Sequence, residues 1–281
     1  MHSHLSDIIV YPIKSTAGLH LSRATVSRFG LEFDRRFVLC TTEGKFLTAR
    51  TRPQLLHIRV SLTVRGLIVS APGQTDLQLK YHEFSSHYQT VSVWKDHIEA
   101  QHCSGIADRW FSDYLGQECQ LLFFGTDSNR PLEDFPQHQT AFADGYPLLL
   151  ISQASLADLS SRCSNPVQMN QMRPNLVVHG TAAYEEDQWK KIRIGTAEFA
   201  IVKPCGRCIL TTTNPTTLER NPGREPLSVL KRYRKGSDGE AHFGQNMIPL
   251  NNGIISVNDP VEILEIGQPE KYWSDLKYRS E

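Results

Sequence analysis

Short alternations of hydrophobic and polar residues dominate the first hundred positions of the chain. They run through DIIVYPIKS (7–15), RRFVLCTTEGKFLTAR (35–50) and HIRVSLTVRGLIVSAPG (57–73). β-Branched and aromatic residues at a two-residue period are typical of half-buried strands. Glu43-Gly44 and Arg65-Gly66 interrupt the second and third stretches where a tight turn would join two strands. The pattern predicts a β-rich module.

A helix is predicted to close this module. Ser104 precedes GIADRWFSDYL (105–115), in which large apolar residues recur every fourth position, and Gly116 follows it. Serine is a preferred N-cap and glycine a preferred helix stop. Residues 125–142 then hold proline, asparagine and aspartate with little periodicity, which favours a connection between two domains.

Strands also dominate the second half. YPLLLIS, NLVVHG and KIRIGTAEFAIVKP have the composition of strands, and GIISVNDPVEILEIG near the C-terminus resembles a hairpin. Short helices are predicted in SQASLADLSSRC and in PLSVLKRYR, which begins at Pro226. Helices of regular length do not separate the strands, so we expect a closed or sandwich-like β architecture rather than a doubly wound sheet. The predicted class is mainly β with a few short helices.

The amino-acid composition limits the classes of partner that the protein is expected to bind. The 281 residues include 30 basic and 30 acidic side chains, so no global field attracts nucleic acid or an anionic membrane. No apolar run approaches the roughly 20 residues of a membrane span, and the first residues do not resemble an export signal. We expect a cytoplasmic protein without a nucleic-acid or membrane partner.

Two of the six cysteines stand apart. Cys40, Cys103, Cys119 and Cys163 have no second ligand-type residue at a useful spacing, so we expect them to pack as small hydrophobic residues. The other two are three positions apart in KPCGRCILTTTN (203–214). This cysteine pair is the candidate for chemistry.

Several chemistries use such a pair. Structural zinc needs two further ligands, and the histidines nearest in sequence, His179 and His242, are isolated. A thioredoxin-like site needs a helix after its first cysteine, whereas ILTTTNP has the composition of a strand, and an iron–sulfur cluster needs four thiolates. A single thiolate suffices for a soft metal whose other ligands belong to an anionic cofactor.

Ordered motifs favour the last alternative. YPIKS (11–15), GLEFDRRFVL (30–39) and TARTRPQL (48–55) together resemble the β-barrel domain that precedes MOSC domains. The second half is similar to the MOSC domain itself, through MRPNLVVHG, YEEDQWKKIRIG, KPCGRCILTTTNP, EPLSVLKRYR, HFGQN and GIISVNDPVEIL in the order of that family. The chain thus resembles the mitochondrial amidoxime-reducing components and bacterial YcbX-type proteins.

The resemblance implies domain limits. It implies an N-terminal MOSC-associated β-barrel domain over 1–124, a connection over 125–142, a β-barrel MOSC domain over 143–267 and a C-terminal tail over 268–281. In the closing turn, Asn258 replaces a glycine common in the family, and asparagine tolerates a positive φ.

The resemblance also implies a site for the molybdenum cofactor, a molybdopterin that carries molybdenum. Cys208 is then the predicted metal ligand and catalytic residue, and Cys205 the less favoured ligand. Arg207 would keep the sulfur ionised or orient an oxo group, and Asp144 would bind the cofactor and take part in catalysis. The other implied cofactor-binding residues are Lys14, Ser15, Arg35, Arg173 and Asn175. Gly145 and Tyr146 stand where eukaryotic relatives have hydroxyl residues, so those contacts are not implied here.

Two functions of different classes remain open. The resemblance implies an enzyme that reduces small N-hydroxylated substrates, namely hydroxylamines, amidoximes or N-hydroxylated purines. Because the sequence has no cluster of four cysteines, its electrons would come from a separate ferredoxin-like protein or flavin reductase. His179, His242 and Asp144 are possible proton carriers. The alternative is a cofactor carrier or sulfur-transfer accessory without turnover, and a third hypothesis, a thiol redox module, requires a reversible Cys205–Cys208 disulfide.

Overall fold

Strands form most of the regular structure. The computed structural model describes residues 3–272, so part of the predicted tail, 273–281, lies outside the described residues. The strands are β1 (His4–Val10), β2 (Leu19–Leu21), β3 (Arg23–Ser27), β4 (Gly30–Leu31), β5 (Phe37–Cys40), β6 (Arg59–Thr63), β7 (Gly66–Ser70), β8 (Leu77–Lys80), β9 (Tyr88–Val93), β10 (Asp96–His102), β11 (Gln120–Phe123), β12 (Leu148–Ser152), β13 (Leu176–His179), β14 (Trp189–Ile194), β15 (Ala197–Gly206), β16 (His242–Pro249), β17 (Gly253–Ser256) and β18 (Val261–Ile266). The α-helices are α1 (Gly105–Leu115), α2 (Gln153–Ser161), α3 (Met169–Met172) and α4 (Leu227–Tyr233). The mainly β prediction is confirmed.

Local capping signals set the helix limits. Before α1, Ser104 Oγ accepts a hydrogen bond from Ala107 N, and Gly116 ends the helix at φ 63°. Ser152 Oγ accepts from Ser155 N at the start of α2. These side chains satisfy backbone N–H groups that have no partner within the first helical turn. The three helices predicted from sequence are confirmed, whereas α3 was not predicted.

The chain forms two compact units that are discontinuous in sequence. The first unit comprises Met1–Ile9, His20–Glu32 and Tyr146–Glu281, and the second comprises Val10–Leu19 and Phe33–Gly145. Strand pairing explains why two N-terminal segments belong to the first unit, because β1 pairs antiparallel with β13 and β3 pairs antiparallel with β17. N-terminal strands therefore form part of the first unit.

The first unit holds two sheets. Its large sheet has the order β18-β14-β15-β16-β12-β13-β1-β2, and a small one has the order β17-β3-β4. The helices α2, α3 and α4 cover β12 and β16 with apolar side chains, at Leu149, Ile151, Leu159, Met172, Leu227, Leu230 and Phe243. Burying such side chains stabilises the unit by about 1.5 to 3 kcal/mol each.

The predicted C-terminal hairpin is wrong. β17 pairs with β3, and β18 pairs with β14, so the two strands belong to different sheets. The turn between them is held by β1, since Asn258 N donates to Leu5 O and Leu5 N donates to Asp259 O. Asn258 has φ 77°, which confirms that asparagine takes the positive φ expected at this position.

The second unit is also built from sheets. Its sheets have the orders β5-β11-β10-β9 and β6-β7-β8. Arg65-Gly66 falls at the turn between the antiparallel strands β6 and β7, and Gly44 takes φ 77° in its own turn, so both predicted turns are confirmed. Buried Phe111 of α1 and Leu121 of β11 contribute to its core. Among residues 3–272 the structure has no helix with the length and apolarity needed to cross a bilayer.

Candidate functional site

The cysteine pair lies where β15 leaves its sheet. β15 ends at Gly206, and Arg207 N donates to Ala241 O at 2.7 Å. Cys208 then precedes a single 3-10 turn over Ile209–Thr212. The strand predicted after the pair is therefore wrong, because threonine hydroxyls bond local carbonyls here, as Thr211 Oγ1 does to Cys208 O at 2.9 Å. A four-residue 3-10 turn is still no substitute for the helix of a thioredoxin-like site.

Burial separates most other cysteines from chemistry. All six cysteines are thiols. Burial raises the pKa of Cys40 to about 12 and those of Cys119 and Cys163 to about 11, so these thiols are protonated at neutral pH. Cys103 is fully buried, and burial raises its pKa well above the ordinary value. These four have the inert character expected of packing residues.

Arg207 contacts the first thiol of the pair. Its Nη1 lies 3.1 Å from Cys205 Sγ, and its Nη2 donates to Met172 O at 2.6 Å. The third nitrogen, Nε, is buried and has no hydrogen-bond partner among the described residues. The sequence-based hypothesis placed this guanidinium beside the sulfur of Cys208, whereas the structure places it against that of Cys205. Arg207 therefore fixes the loop through Cys205.

The MRPN segment lies beside the cysteine loop. Gln171 Nε2 donates to Thr211 O at 3.0 Å, in addition to the bond that Arg207 makes to Met172. Arg173 follows at the C-cap of α3 with φ 56°. The first unit thus brings together the predicted residues Arg173, Arg207 and Cys208 on adjacent loops.

Asn175 has a visible structural role. Its side chain is buried, with Oδ1 accepting from Leu149 N at 3.2 Å and Nδ2 donating to Ile9 O at 3.1 Å. The amide therefore joins β12 and the start of β13 to β1. Its predicted contact with the cofactor stays a prediction.

The Asn175→Ala substitution should destabilise the protein before any cofactor binds. It leaves a buried N–H and a buried carbonyl without their partner, so we expect the free energy of unfolding to fall by about 2 kcal/mol. Urea denaturation of cofactor-free protein measures this, with the exposed Asn252→Ala as the control. Unchanged stability together with loss of cofactor would instead make Asn175 a binding residue.

In the second unit, Lys14 is a buried cation. Its side chain is only 6% exposed, and Nζ donates to Phe142 O at 2.7 Å and to Asp144 Oδ1 at 2.5 Å. Burial lowers the pKa of Lys14 to about 8, although Asp144 opposes the shift. Arg130 and Arg35 add to the lowering. A bound anion would offset the cost of keeping this ammonium charged.

Asp144 is surrounded by donors. Besides Lys14, Arg50 Nη2 reaches Oδ2 at 3.0 Å and Trp94 Nε1 donates to Oδ1 at 3.1 Å. Partial desolvation would raise the pKa of Asp144, but the charges of Lys14 and Arg50 outweigh it and hold the pKa well below its usual range. The group is a carboxylate at neutral pH, which suits the positioning of cations better than the donation of a proton.

Arg130 shapes the segment that carries Asp144. It is 5% exposed, with Nη1 donating to Ala141 O at 2.9 Å and to Ala143 O at 2.5 Å, and Nε donating to Asp96 at 2.8 Å. Sequence reasoning missed Arg130, and no local pattern indicated it. It also missed Arg50 and Trp94, although Arg50 lies within the TARTRPQL motif.

The predicted residues Ser15 and Arg35 have unusual backbones. Their φ angles are 73° and 47°, and Trp94 has φ 57°. Such angles cost non-glycine residues about 1–3 kcal/mol and are frequent at binding sites. Arg35 Nη1 donates to both oxygens of Asp34, at 2.9 and 2.6 Å, and its guanidinium lies 4.2 Å from the ring centroid of Tyr11. The YPIKS and FDRRF motifs are thus adjacent.

We expect Lys14 to titrate far below the other lysines. In cofactor-free protein, the Cε carbon resonance of Lys14, assigned through Lys14→Arg, should have a titration midpoint near pH 8. The exposed Lys95 is the internal comparison, because its hydrogen bond to Glu133 raises its pKa. Because the bound anion favours the charged ammonium, inorganic phosphate should raise the Lys14 midpoint. A midpoint near the ordinary lysine value would contradict the burial of the charge.

The two candidate histidines differ in position. His179 is exposed, and its Nδ1 lies 2.9 Å from Gln153 Oε1. His242 is 4% exposed, pairs through Nε2 with Asp238 at 3.0 Å, and faces Gly206 in the register of β15 and β16. Of these two histidines, His242 is therefore the one that the strand register places next to the cysteine loop.

A protein-only metal site at the cysteine pair lacks ligands. Within the described residues, the group of metal-binding side chains close enough to share an ion is Asp238, Glu240 and His242, without a cysteine. The donors present instead fit a cofactor that brings its own ligands. The first unit supplies half-buried thiols and the Nε of Arg207, which is buried and has no hydrogen-bond partner among the described residues. Thiolates suit a soft metal ion, and a guanidinium suits an anionic group.

Fold and site together define a mainly β protein of two units with a loop suited to hold a metal cofactor. Two family models match it, the MOSC N-terminal beta barrel domain over residues 2–118 and the MOSC domain over residues 137–262. The chain therefore belongs to the MOSC-domain family, with the N-terminal domain that accompanies it. This confirms the resemblance drawn from the motifs.

Known relatives align with most of this chain. It is 34% identical to human mitochondrial amidoxime-reducing component 1, over 92% of this chain and 82% of that protein. It is 33% identical to human mitochondrial amidoxime reducing component 2, over 94% and 82%. It is also 33% identical to a molybdenum cofactor sulfurase of Oryza sativa subsp. japonica, over 86% of this chain but 32% of that protein.

Proposed function

We propose that this protein is a molybdenum-cofactor-dependent oxidoreductase that reduces N-hydroxylated compounds. The observation that carries the proposal is the cysteine loop, where a half-buried thiol pair lies beside Arg173 and Arg207 and belongs to no group of metal ligands among residues 3–272. Similarity to amidoxime-reducing components over almost the whole chain supports the reaction class. Hydroxylamines, amidoximes and N-hydroxylated purines are the proposed substrates.

The cysteine loop and the segment beside it would hold the metal end of the cofactor. Cys208 would provide the thiolate ligand, with Cys205 as the alternative. Arg207 would keep the loop in place through Cys205 and Met172, which restricts the position of the ligand. Arg173 would donate to the cofactor. Asn175 would hold the segment that carries Arg173 in place through its bonds to Leu149 and Ile9.

The residues around Lys14 are proposed to bind an anionic group. Lys14, Ser15 and Arg35 would bind the phosphate of the molybdopterin, and Asp144 would orient the Lys14 ammonium through its bond to Nζ. When bound, the cofactor would supply the two-electron chemistry that removes oxygen from nitrogen. The exposed Asp238 and the buried His242 next to the cysteine loop offer a path for a proton from solvent.

The remaining parts of the proposal concern partners and location. Electrons would come from a separate electron-transfer protein, either ferredoxin-like or a flavin reductase. A cytoplasmic location is part of the proposal and is tested by fractionation of cells that produce the tagged protein at its natural level. We propose no nucleic-acid partner, because the chain carries no net charge.

A turnover assay distinguishes the proposed reductase from a second candidate function. The similarity to a molybdenum cofactor sulfurase favours a cofactor carrier or sulfur-transfer accessory as the second candidate. Protein produced with abundant molybdate is supplied with a chemically reduced dye and a hydroxylamine. Stoichiometric formation of the amine supports the reductase. Release of cofactor or transfer of sulfur, without consumption of electrons, would support the accessory role and reject the reductase.

A further inference from the structure

A cationic cavity adjoins the cysteine loop in the first unit. It has a volume of about 750 Å³, and Ile209, the residue that follows Cys208, forms part of its wall. Cavities of roughly 300–1,000 Å³ are typical of small-molecule sites. Because consecutive Cα atoms are only about 3.8 Å apart, this wall begins one residue from the proposed metal ligand.

The charged residues that line the cavity are all basic. Arg220, Arg224 and Lys231 line it, and no carboxylate does among the described residues. The chain as a whole has equal numbers of acidic and basic side chains, so the excess is local. The carboxylate of Glu225, the residue after Arg224, is bound by Ser164. Its Oε2 accepts from Ser164 N at 2.7 Å and from Ser164 Oγ at 2.6 Å. An anion entering the cavity would therefore meet cations that this carboxylate does not neutralise.

The rest of the wall is partly apolar. Ile209, Pro222 and Leu227 contribute hydrophobic surface beside the three cations. A ligand with a flat apolar ring at one end and a multiply charged anion at the other matches this surface, since arginine forks bind phosphate oxygens in pairs. A concave site of this size suits a small molecule better than the flat face of a protein.

We propose that this cavity binds the phosphate of an N-hydroxylated purine nucleotide, so that the protein prefers nucleotides to the uncharged nucleosides. The proposal rests on the proposed reductase function and specifies its substrate class. Arg224 and Lys231 are then specificity-determining residues, because they contact the phosphate and not the nitrogen that loses its oxygen.

The test compares N-hydroxylated adenosine with its 5′-monophosphate, using cofactor-loaded protein and a chemically reduced dye. Two charge-assisted contacts should give the monophosphate an advantage in kcat/KM of about 10-fold or more. The Arg224→Gln/Lys231→Gln double variant should lose most of this advantage. The matched control is Arg232→Gln. It removes an exposed charge of α4, the helix that carries Lys231, at a position that does not line the cavity, and it should keep the preference.

Calorimetric titration of the holoprotein with AMP provides a readout that does not depend on turnover. AMP should bind to the wild type and to the Arg232→Gln variant and should bind at least about 10-fold more weakly to the double variant. An unchanged preference and unchanged AMP affinity in the double variant would overturn the proposal. So would a double variant impaired only with a protein electron donor, since the cations would then dock that donor. If the wild type reduces neither substrate, the reductase function fails, and the AMP titration still tests the cavity.

Discussion

Replacing Cys208 with alanine is expected to remove molybdenum and abolish reduction of hydroxylamine. Loss of residues that merely orient a metal ligand typically costs 10–100-fold, so loss of the ligand itself should reduce activity by more than about 100-fold. Protein produced with abundant molybdate is analysed for molybdenum and for pterin, and the turnover of hydroxylamine by a reduced dye is measured in parallel. Pterin should persist in part, because its phosphate would still bind to Lys14 and Arg35.

Two other cysteines serve as controls for this experiment. Cys163→Ala removes a thiol of the same unit whose burial raises its pKa to about 11, and it should keep both metal and activity. Cys205→Ala should keep molybdenum, with reduced activity, because Arg207 loses its contact with Sγ. Loss of metal in Cys205→Ala but not in Cys208→Ala would assign the ligand to Cys205. Metal bound equally in all variants would reject the proposed ligand.

Replacing Lys14 with methionine should weaken binding of the whole cofactor. Methionine keeps most of the length of the buried side chain but has no charge and no N–H donor. Removing one partner of a buried, hydrogen-bonded charge pair costs about 2–5 kcal/mol, so the affinity for cofactor should fall at least about 30-fold. Molybdenum and pterin should fall together, which distinguishes this variant from Cys208→Ala.

The control is Lys95→Met, which removes an exposed lysine of the same unit. It should keep normal cofactor content. The pH profile gives a second readout, because a lysine with a pKa of about 8 loses its charge as the pH rises through that value. Cofactor affinity of the wild type should therefore fall above pH 8, and Lys14→Arg should remove this fall. Normal pterin content in Lys14→Met would reject the assignment of the phosphate to Lys14.

Local signals in the sequence were sufficient where the structure is local. Ser104 and Gly116 delimit α1 because their own atoms satisfy or end the helical backbone, and the turn at Arg65-Gly66 joins adjacent strands. The motifs also identified the family, and with it they predicted Cys208, Lys14 and Arg35 as site residues without any knowledge of their surroundings. Residue type and order along the chain were enough for these predictions.

Only the tertiary structure decided what depends on distant partners. β1 pairs with β13 and β17 with β3, because strands bond to whichever edge the folded chain brings near, so the C-terminal hairpin that local pattern predicted does not form. Arg130 shapes the Asp144 segment through contacts to residues 11 and 13 positions away, at Ala141 and Ala143. The lowered pKa of Lys14 arises from burial, which sequence composition does not specify. Sequence determined which side chains are available for chemistry, and folding decided which of them are desolvated, paired or held beside the cysteine loop, because these properties depend on contacts between distant segments.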